Sequence, residues 1–246
     1  NYVSLTSSSK LQVESGVTNS GISFVGNTFN SPVTFDAGVS AGSLTDSSFV
    51  FDSNNLGREL YLKGGAVRSR VELTKNTLKY VESSVAAYDA SLFIASENTM
   101  SGNRQAHCVL WNAPLINGAS AVWEKNNFRS YTSEDCLYMP GEVGANSAVR
   151  ILGGTYGSNS ATKSAIYAKS LAGAASAVVE VIGVTLITGR LNVAIDVAEP
   201  VLIVNNTFST APNVIVSASP VSGTSKRFSG CNILTDDTAH SLAAVT

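Results

Sequence analysis

Apolar and polar residues alternate along this chain with a period of two, and one eight-residue pattern punctuates the alternation. Val201 to Phe208, VLIVNNTF, shows it most plainly: apolar first and third places, Asn at the sixth, a large apolar residue at the eighth. The sixth-place column reads Asn27, Asn54, Asn76, Asn98, Asn126, Gly154, Val184, Asn206 and Cys231, with steps of 27, 22, 22, 28, 28, 30, 22 and 25 residues. A period in the twenties repeated this often predicts a solenoid, in which each unit buries its apolar side on its neighbours.

Neighbouring columns give the direction of each side chain. Three places before the Asn stand Phe24, Phe51, Leu73, Ala95, Trp123, Ile151, Val181, Ile203 and Phe228; two places after it stand Phe29, Leu56, Leu78, Met100, Phe128, Tyr156, Leu186, Phe208 and Ile233. The residue directly after the Asn is Thr or Asn in every unit. These are strands with one buried face, on either side of a sharp bend. Asn suits such a bend because it tolerates the left-handed conformation and its amide can bond along a stack. The expectation is therefore an Asn ladder of Asn27, Asn54, Asn76, Asn98, Asn126 and Asn206, with each Asn itself in the left-handed region. Gly154 fits the same bend, and Gly183 relieves Val184, whose β-branch resists positive φ.

A third strand is expected after a variable loop. Its inward columns are read as Val33, Leu60, Ala86, Cys108, Cys136, Ile166, Val193, Val214 and Phe35, Leu62, Tyr88, Leu110, Tyr138, Ala168, Ile195, Val216. Pro114 to Ser120, Gly141 to Ser147 and Leu171 to Ser176 read as loops between strands. The fold class predicted is all-β: a right-handed parallel β-helix of about nine coils with three short strands per coil. It forms one domain over residues 1–246, a rod of roughly 45 Å at about 4.8 Å per coil. Residues 1–21 read as an incomplete first coil.

Variable coils of this length, three strands and an Asn stack in the short bend resemble the right-handed parallel β-helix proteins of the pectin-lyase-like superfamily, over essentially the whole chain. The phrasing of the repeats (SFVGNTF, VELTKNTL, VWEKNNF, VRILGGTY) is similar to that of the large trypanosomatid dispersed-gene-family surface proteins. That resemblance implies a cell-surface or secreted setting.

Composition narrows the function. Charged residues make up 14% and the formal net charge is −2, with no run of Lys or Arg, which argues against nucleic acid or an anionic membrane surface as partner. No apolar stretch reaches membrane-spanning length. Low charge with abundant Ser, Thr, Asn and Gly suits an extracellular or cell-surface protein, and Asn205 heads an N-glycosylation sequon. The cysteines lack metal-ligand spacing, and no cofactor motif is present. Cys108 and Cys136 fall at equivalent places on adjacent coils, as two buried small side chains or as a disulfide.

Candidate chemistry gathers on the outward side of the third strand. Its middle outward column, Tyr61, Ala87, Val109, Leu137 and Tyr167 among others, is apolar enough to be a contact surface. Trp111, Tyr61 and Tyr167 are candidates to stack on sugar rings. His107 and Asp135, one coil apart, form the best acid and imidazole pair for catalysis. Glycoside hydrolysis uses two carboxyls about 5–9.5 Å apart, whereas Glu59, Asp89 and Asp135 stand on separate coils. Asp236, Asp237 and His240 read as a polar terminal turn. Three readings follow: a structural or adhesive surface module, a carbohydrate-binding module, and a polysaccharide lyase or hydrolase. With no amphipathic helix to cover either end coil, the chain is expected to continue in a longer parent polypeptide or to stack end to end.

Overall fold

The computed structural model describes residues 2–3, 11–13, 16–30, 32–35, 44–83, 86–102, 107–130, 134–160, 163–170, 177–195, 201–204, 206–208, 214–217 and 233–234. Among them the chain is all-β, with 32 strands in four sheets and every pairing parallel. The chain passes through the sheets in a fixed order, and each strand pairs with the strand of the coil before and the coil after. Sheet I holds eight strands, from Gly21–Val25 to Val201–Val204, mostly five residues long. Sheet II holds ten, from Tyr2–Val3 to Ile233–Leu234, mostly of two residues. Sheet III holds nine, from Leu11–Val13 to Val214–Ser217, and sheet IV five, from Val17–Thr18 to Leu115–Ile116. The result is a parallel β-solenoid. The outermost strands of sheet II are Tyr2–Val3 and Ile233–Leu234; the rest of the two end coils lies mainly outside the described residues.

Among the described residues sheet IV adds a fourth strand to five of the coils, where the sequence pattern suggests three. Its members, such as Ala66–Val67, Tyr88–Asp89 and Leu115–Ile116, are only two residues long. Two residues are too few for a visible alternation, so Pro114 to Ser120 read as loop although Leu115–Ile116 pairs with Tyr88–Asp89.

The core columns flanking the Asn hold their register. Phe24, Phe51, Leu73, Ala95, Trp123, Ile151, Val181 and Ile203 are successive partners in sheet I. All those from Phe51 to Val181 are buried, as are Phe29, Leu56, Leu78, Met100, Phe128, Tyr156 and Leu186 in sheet II. An aromatic cluster fills the middle of the rod, with the Phe93 ring 4.3 Å from that of Trp111 and 4.9 Å from that of Trp123. Neither indole N–H has a hydrogen-bond acceptor. Ring packing offsets that desolvation, each aromatic pair contributing about 0.5–1.5 kcal/mol beyond its area burial.

Two sharp corners per coil make the stack possible, and both work the same way. At the corner between sheets I and II, the left-handed residue is the one before the Asn: Gly26, Ser53, Lys75, Glu97, Lys125, Gly153 and Gly183 all have φ between 50 and 66°. The Asn itself is spared, contrary to the expectation from sequence, because its side chain must turn inward to replace backbone partners. Asn98 shows the pattern. Its Oδ1 accepts from the backbone N of Asn76 (2.9 Å) and from Asn76 Nδ2 (3.0 Å), while its Nδ2 donates to Leu73 O (2.7 Å) and Asn126 Oδ1 (3.1 Å). Asn27, Asn54 and Asn76 each hand a backbone N–H and an amide N–H to the next Asn in this way. Asn206 takes the N–H of Val184 and donates to Val181 O. The ladder breaks at Gly154, where a Cβ would stand 2.4 Å from Asn126 O, so only glycine fits that approach.

The corner between sheets IV and I carries a serine ladder. Asn19, Asp46, Arg68 and Ala90 have positive φ, and each is followed by a Ser, of which Ser47, Ser69 and Ser91 are buried. The backbone N of Ser20, Ser47 and Ser69 donates to the hydroxyl of Ser47, Ser69 and Ser91 at 3.0–3.1 Å. Each hydroxyl in turn donates to the carbonyl two residues back.

An unpaired buried polar group costs about 1–3 kcal/mol. Asn98→Leu strands both Asn76 N–H and Leu73 O and is expected to lower stability by roughly 2–4 kcal/mol. Thr99→Val, on the exposed side of the same corner, is expected to change it by less than about 0.5 kcal/mol. Denaturant unfolding of the two variants checks this, and equal losses would contradict the ladder's role.

Candidate functional site

Sheet III presents the face where the candidate residues meet. Its register runs Val33, Leu60, Val81, Val109, Leu137, Ile166, Leu191 and Val214 in one column, buried from Val33 to Leu191, and Phe35, Leu62, Ser83, Trp111, Met139, Ala168, Val193 and Val216 in the other, buried from Leu62 to Ala168. The sequence-based columns depart from this at four coils. In the third, the strand is Tyr80–Ser83, directly after Leu78, and Tyr88 belongs to sheet IV. In the seventh, Val193 and Ile195 stand one step along from Leu191 and Val193. In the fourth and fifth the inward places are Val109 and Trp111, and Leu137 and Met139, one residue on from the expected ones and in unbroken register with Val81 and Ser83. Cys108 and Cys136, one residue earlier, are buried as well, as Glu59 and Tyr80 are on the second and third coils.

Trp111 is therefore a core residue, 1% exposed, with its ring 5.0 Å from Tyr88 and 5.8 Å from Trp123. No face of it is open to a sugar. Leu110 and Tyr138, expected inside, are instead on the partly exposed column with Tyr61, Glu82 and Tyr167. Tyr138 is the residue that sequence reasoning missed. Its ring lies against His107 (4.6 Å, 20° between planes) and against Tyr167 (4.8 Å, 42°). One coil above Glu82, Tyr61 packs edge-on against Tyr80 at 6.3 Å.

His107 and Asp135 are neighbours, yet not as an acid and imidazole couple. His107 Nδ1 lies 2.9 Å from the backbone oxygen of Asp135, while the Asp135 carboxylate accepts the backbone N–H of Ser164. The carboxylate is thus turned to the next coil, and among the described residues no carboxylate orients the imidazole. Lys163 and Glu134 close the same loop region with an ion pair at 3.2 Å. Glu59 is 6% exposed and lies 3.3 Å from Arg58, and Asp89 sits on sheet IV, bonded by Asn117. Glu82 accepts from Tyr80 Oη at 2.9 Å.

Burial raises the Tyr80 phenol far above its ordinary value, assisted by its hydrogen bond to Glu82. Burial also raises Tyr61, with Glu59 and Glu82 adding to the effect. Cys108 and Cys136 are fully buried and not bonded to each other in this structure, with Sγ atoms 3.1 Å apart. No cluster of His, Cys, Asp or Glu suited to a metal is present among the described residues. No described helix is long and apolar enough to cross a membrane. Asn205, Asp236, Asp237 and His240 lie outside the described residues.

A depression follows the serine corner, lined by Ser47, Ser69, Ser91, Asp46, Arg68 and Arg70 among others. Its floor is already committed: the Ser47 and Ser69 hydroxyls both donate and accept within the fold, and Arg68 binds Asp46 through two 2.7 Å bonds. The sheet III face is the better candidate because partly exposed side chains follow one another on a single column of it, Tyr61, Glu82, Leu110, Tyr138 and Tyr167. No family model, curated protein or solved structure matches this chain.

Two outcomes are expected. Trp111→Ala should act on the fold, lowering stability by about 3–5 kcal/mol, readable as a lower midpoint in denaturant unfolding. The Tyr61 and Tyr80 phenols keep their protons in the folded chain at pH values where the unfolded chain, with tyrosine near pH 10, has lost them. Their contribution to stability is complete below about pH 10 and falls as pH rises beyond it. Unfolding measured across alkaline pH should show this loss, and Tyr80→Phe should make it shallower.

Proposed function

We propose that this chain is a structural or adhesive module of an extracellular or cell surface, built as a right-handed parallel β-helix of about nine coils, whose contact face is the outer side of sheet III. Connections between parallel strands are right-handed in nearly all known cases, which supports the handedness. The pattern of variable coils around an Asn ladder supports the pectin-lyase-like class. One observation carries the contact reading: the partly exposed column Tyr61, Glu82, Leu110, Tyr138, Tyr167, one residue per coil over five coils, with His107 stacked on Tyr138.

Such a column spans roughly 19 Å along the rod at about 4.8 Å per coil. Phenol rings offer an apolar body and a hydroxyl together, the combination that sugars and polar partner surfaces require. A linear glycan lying along the rod would meet a phenol on three of these five coils, with Glu82 and Leu110 between them. The His107 and Asp135 geometry lends no support to a hydrolase or lyase reading, since no oriented acid and base converge on one point of this face.

Glycan binding by this face is tested by affinity electrophoresis against a panel of neutral and acidic polysaccharides. Tyr138→Ala and Tyr167→Ala are each expected to weaken retention by about five- to tenfold, the effect of roughly 1–1.4 kcal/mol. Tyr138→Phe should weaken it less, and Arg68→Ala, at the serine corner, should leave it unchanged. Retention insensitive to both tyrosines, or no retention by any glycan, would remove this face as a glycan site.

A further inference from the structure

We infer that Cys108 and Cys136 are a disulfide site: a covalent staple between adjacent coils, closed when the chain folds in an oxidising compartment. The two residues precede equivalent strands of sheet III, and Cys108 N donates to Cys136 O at 3.0 Å, so their backbones are hydrogen-bonded neighbours. Adjacent parallel strands lie about 4.8 Å apart, inside the Cα separation a disulfide accepts. Both side chains are fully buried, and their sulfurs stand 3.1 Å apart. The side chains therefore converge, and little movement separates the thiol pair from the bonded one. Neither residue takes part in the tyrosine face, so the inference stands apart from the glycan reading.

The chemistry closes with a disulfide oxidant such as glutathione disulfide. One cysteine thiolate attacks a sulfur of the oxidant and expels glutathione thiolate, leaving a mixed disulfide. The second thiolate then attacks the protein sulfur of that mixed disulfide, forms the Cys108–Cys136 bond and expels the second glutathione. The two cysteines lose two electrons and two protons; the oxidant becomes two glutathione thiols. Burial raises the Cys108 thiol well above its ordinary range, so thiolate is scarce in the closed stack and the exchange belongs to folding, before the coils close over it.

The position also makes the bond consequential. It closes a segment of 28 residues between two central coils, and cross-links of that loop size restrict the unfolded chain substantially. Cys231 provides the internal control, since a third thiol could compete for either partner.

The test is to unfold the full chain, refold it in a glutathione redox buffer, quench with acid and map the cross-linked peptides by mass spectrometry. The expected product is an intramolecular Cys108–Cys136 link with Cys231 left alkylatable. Its thermal midpoint is expected to lie roughly 7–14 °C above that of the same chain refolded with reductant, and Cys108→Ala should abolish the difference. Should that variant fail to fold, the peptide map and the oxidised-versus-reduced comparison of the unmodified chain still decide the matter. Refolded chain with both thiols alkylatable, a link through Cys231, or a linked chain with a lower midpoint would each overturn the inference.

Discussion

The backbone hydrogen bond at the corner is what this fold depends on. Along straight strands each N–H meets the carbonyl of the neighbouring coil without help from any side chain. At a corner the chain turns too sharply for that, and a donor and a carbonyl face the interior with nothing to pair them. Leaving them so would cost about 1–3 kcal/mol each, repeated on every coil. Asn supplies an acceptor and a donor on one short side chain, and it bonds to its own kind one coil away, as Asn76, Asn98 and Asn126 do. Ser supplies the same pair of functions at the opposite corner with a smaller reach. In both cases the preceding residue takes the left-handed conformation. The strain of a Lys75 or Glu97 there is tolerated because the hydrogen bonds it permits are buried.

Fixing the corners leaves the rest of the coil free to vary. Between sheets II and III the second coil needs only Gly57 and Arg58, whereas the fourth inserts residues 101–108. Sheet I keeps five paired residues across both coils regardless. Insertions of this kind displace no core residue, because the coil they belong to is already pinned at its Asn and along sheet I. The polar residues His107, Glu134, Asp135 and Lys163 flank such insertions in sequence and gather beside sheet III.

The same division decides what could be read from the sequence. The Asn column stands out because Asn is rare in strands and recurs with a large apolar residue at fixed distances on both sides. The serine column recurs with it, seven residues ahead, as Ser20, Ser47, Ser69 and Ser91 precede Asn27, Asn54, Asn76 and Asn98. It went unread because Ser is common throughout this chain and the columns lapse at Ala119 and Ala177. Sheet IV was invisible for a different reason: two residues of strand carry no period. Sheet III was misread in phase because Val109, Leu110 and Trp111, like Leu137, Tyr138 and Met139, are apolar on both faces. With no polar side to mark the outside, alternation cannot say which residues point in.

The phase of sheet III then decides where three features of the molecule fall. On five successive coils the residue before the first inward place is buried as well: Glu59, Tyr80, Cys108, Cys136 and Ala165 stand ahead of Leu60, Val81, Val109, Leu137 and Ile166. On the fourth and fifth coils those extra buried places hold the Cys108 and Cys136 sulfurs, 3.1 Å apart. Two residues after Val109, Trp111 falls on the inward side, against Phe93 and Tyr88. Leu110 is thereby put on the outer column, and one coil on Tyr138 stands beside His107 and Tyr167. Because the register of sheet III is unbroken from Val33 to Ile166, the aromatic core and the outer column are fixed together, and a slip of one residue in a strand would exchange the two sides.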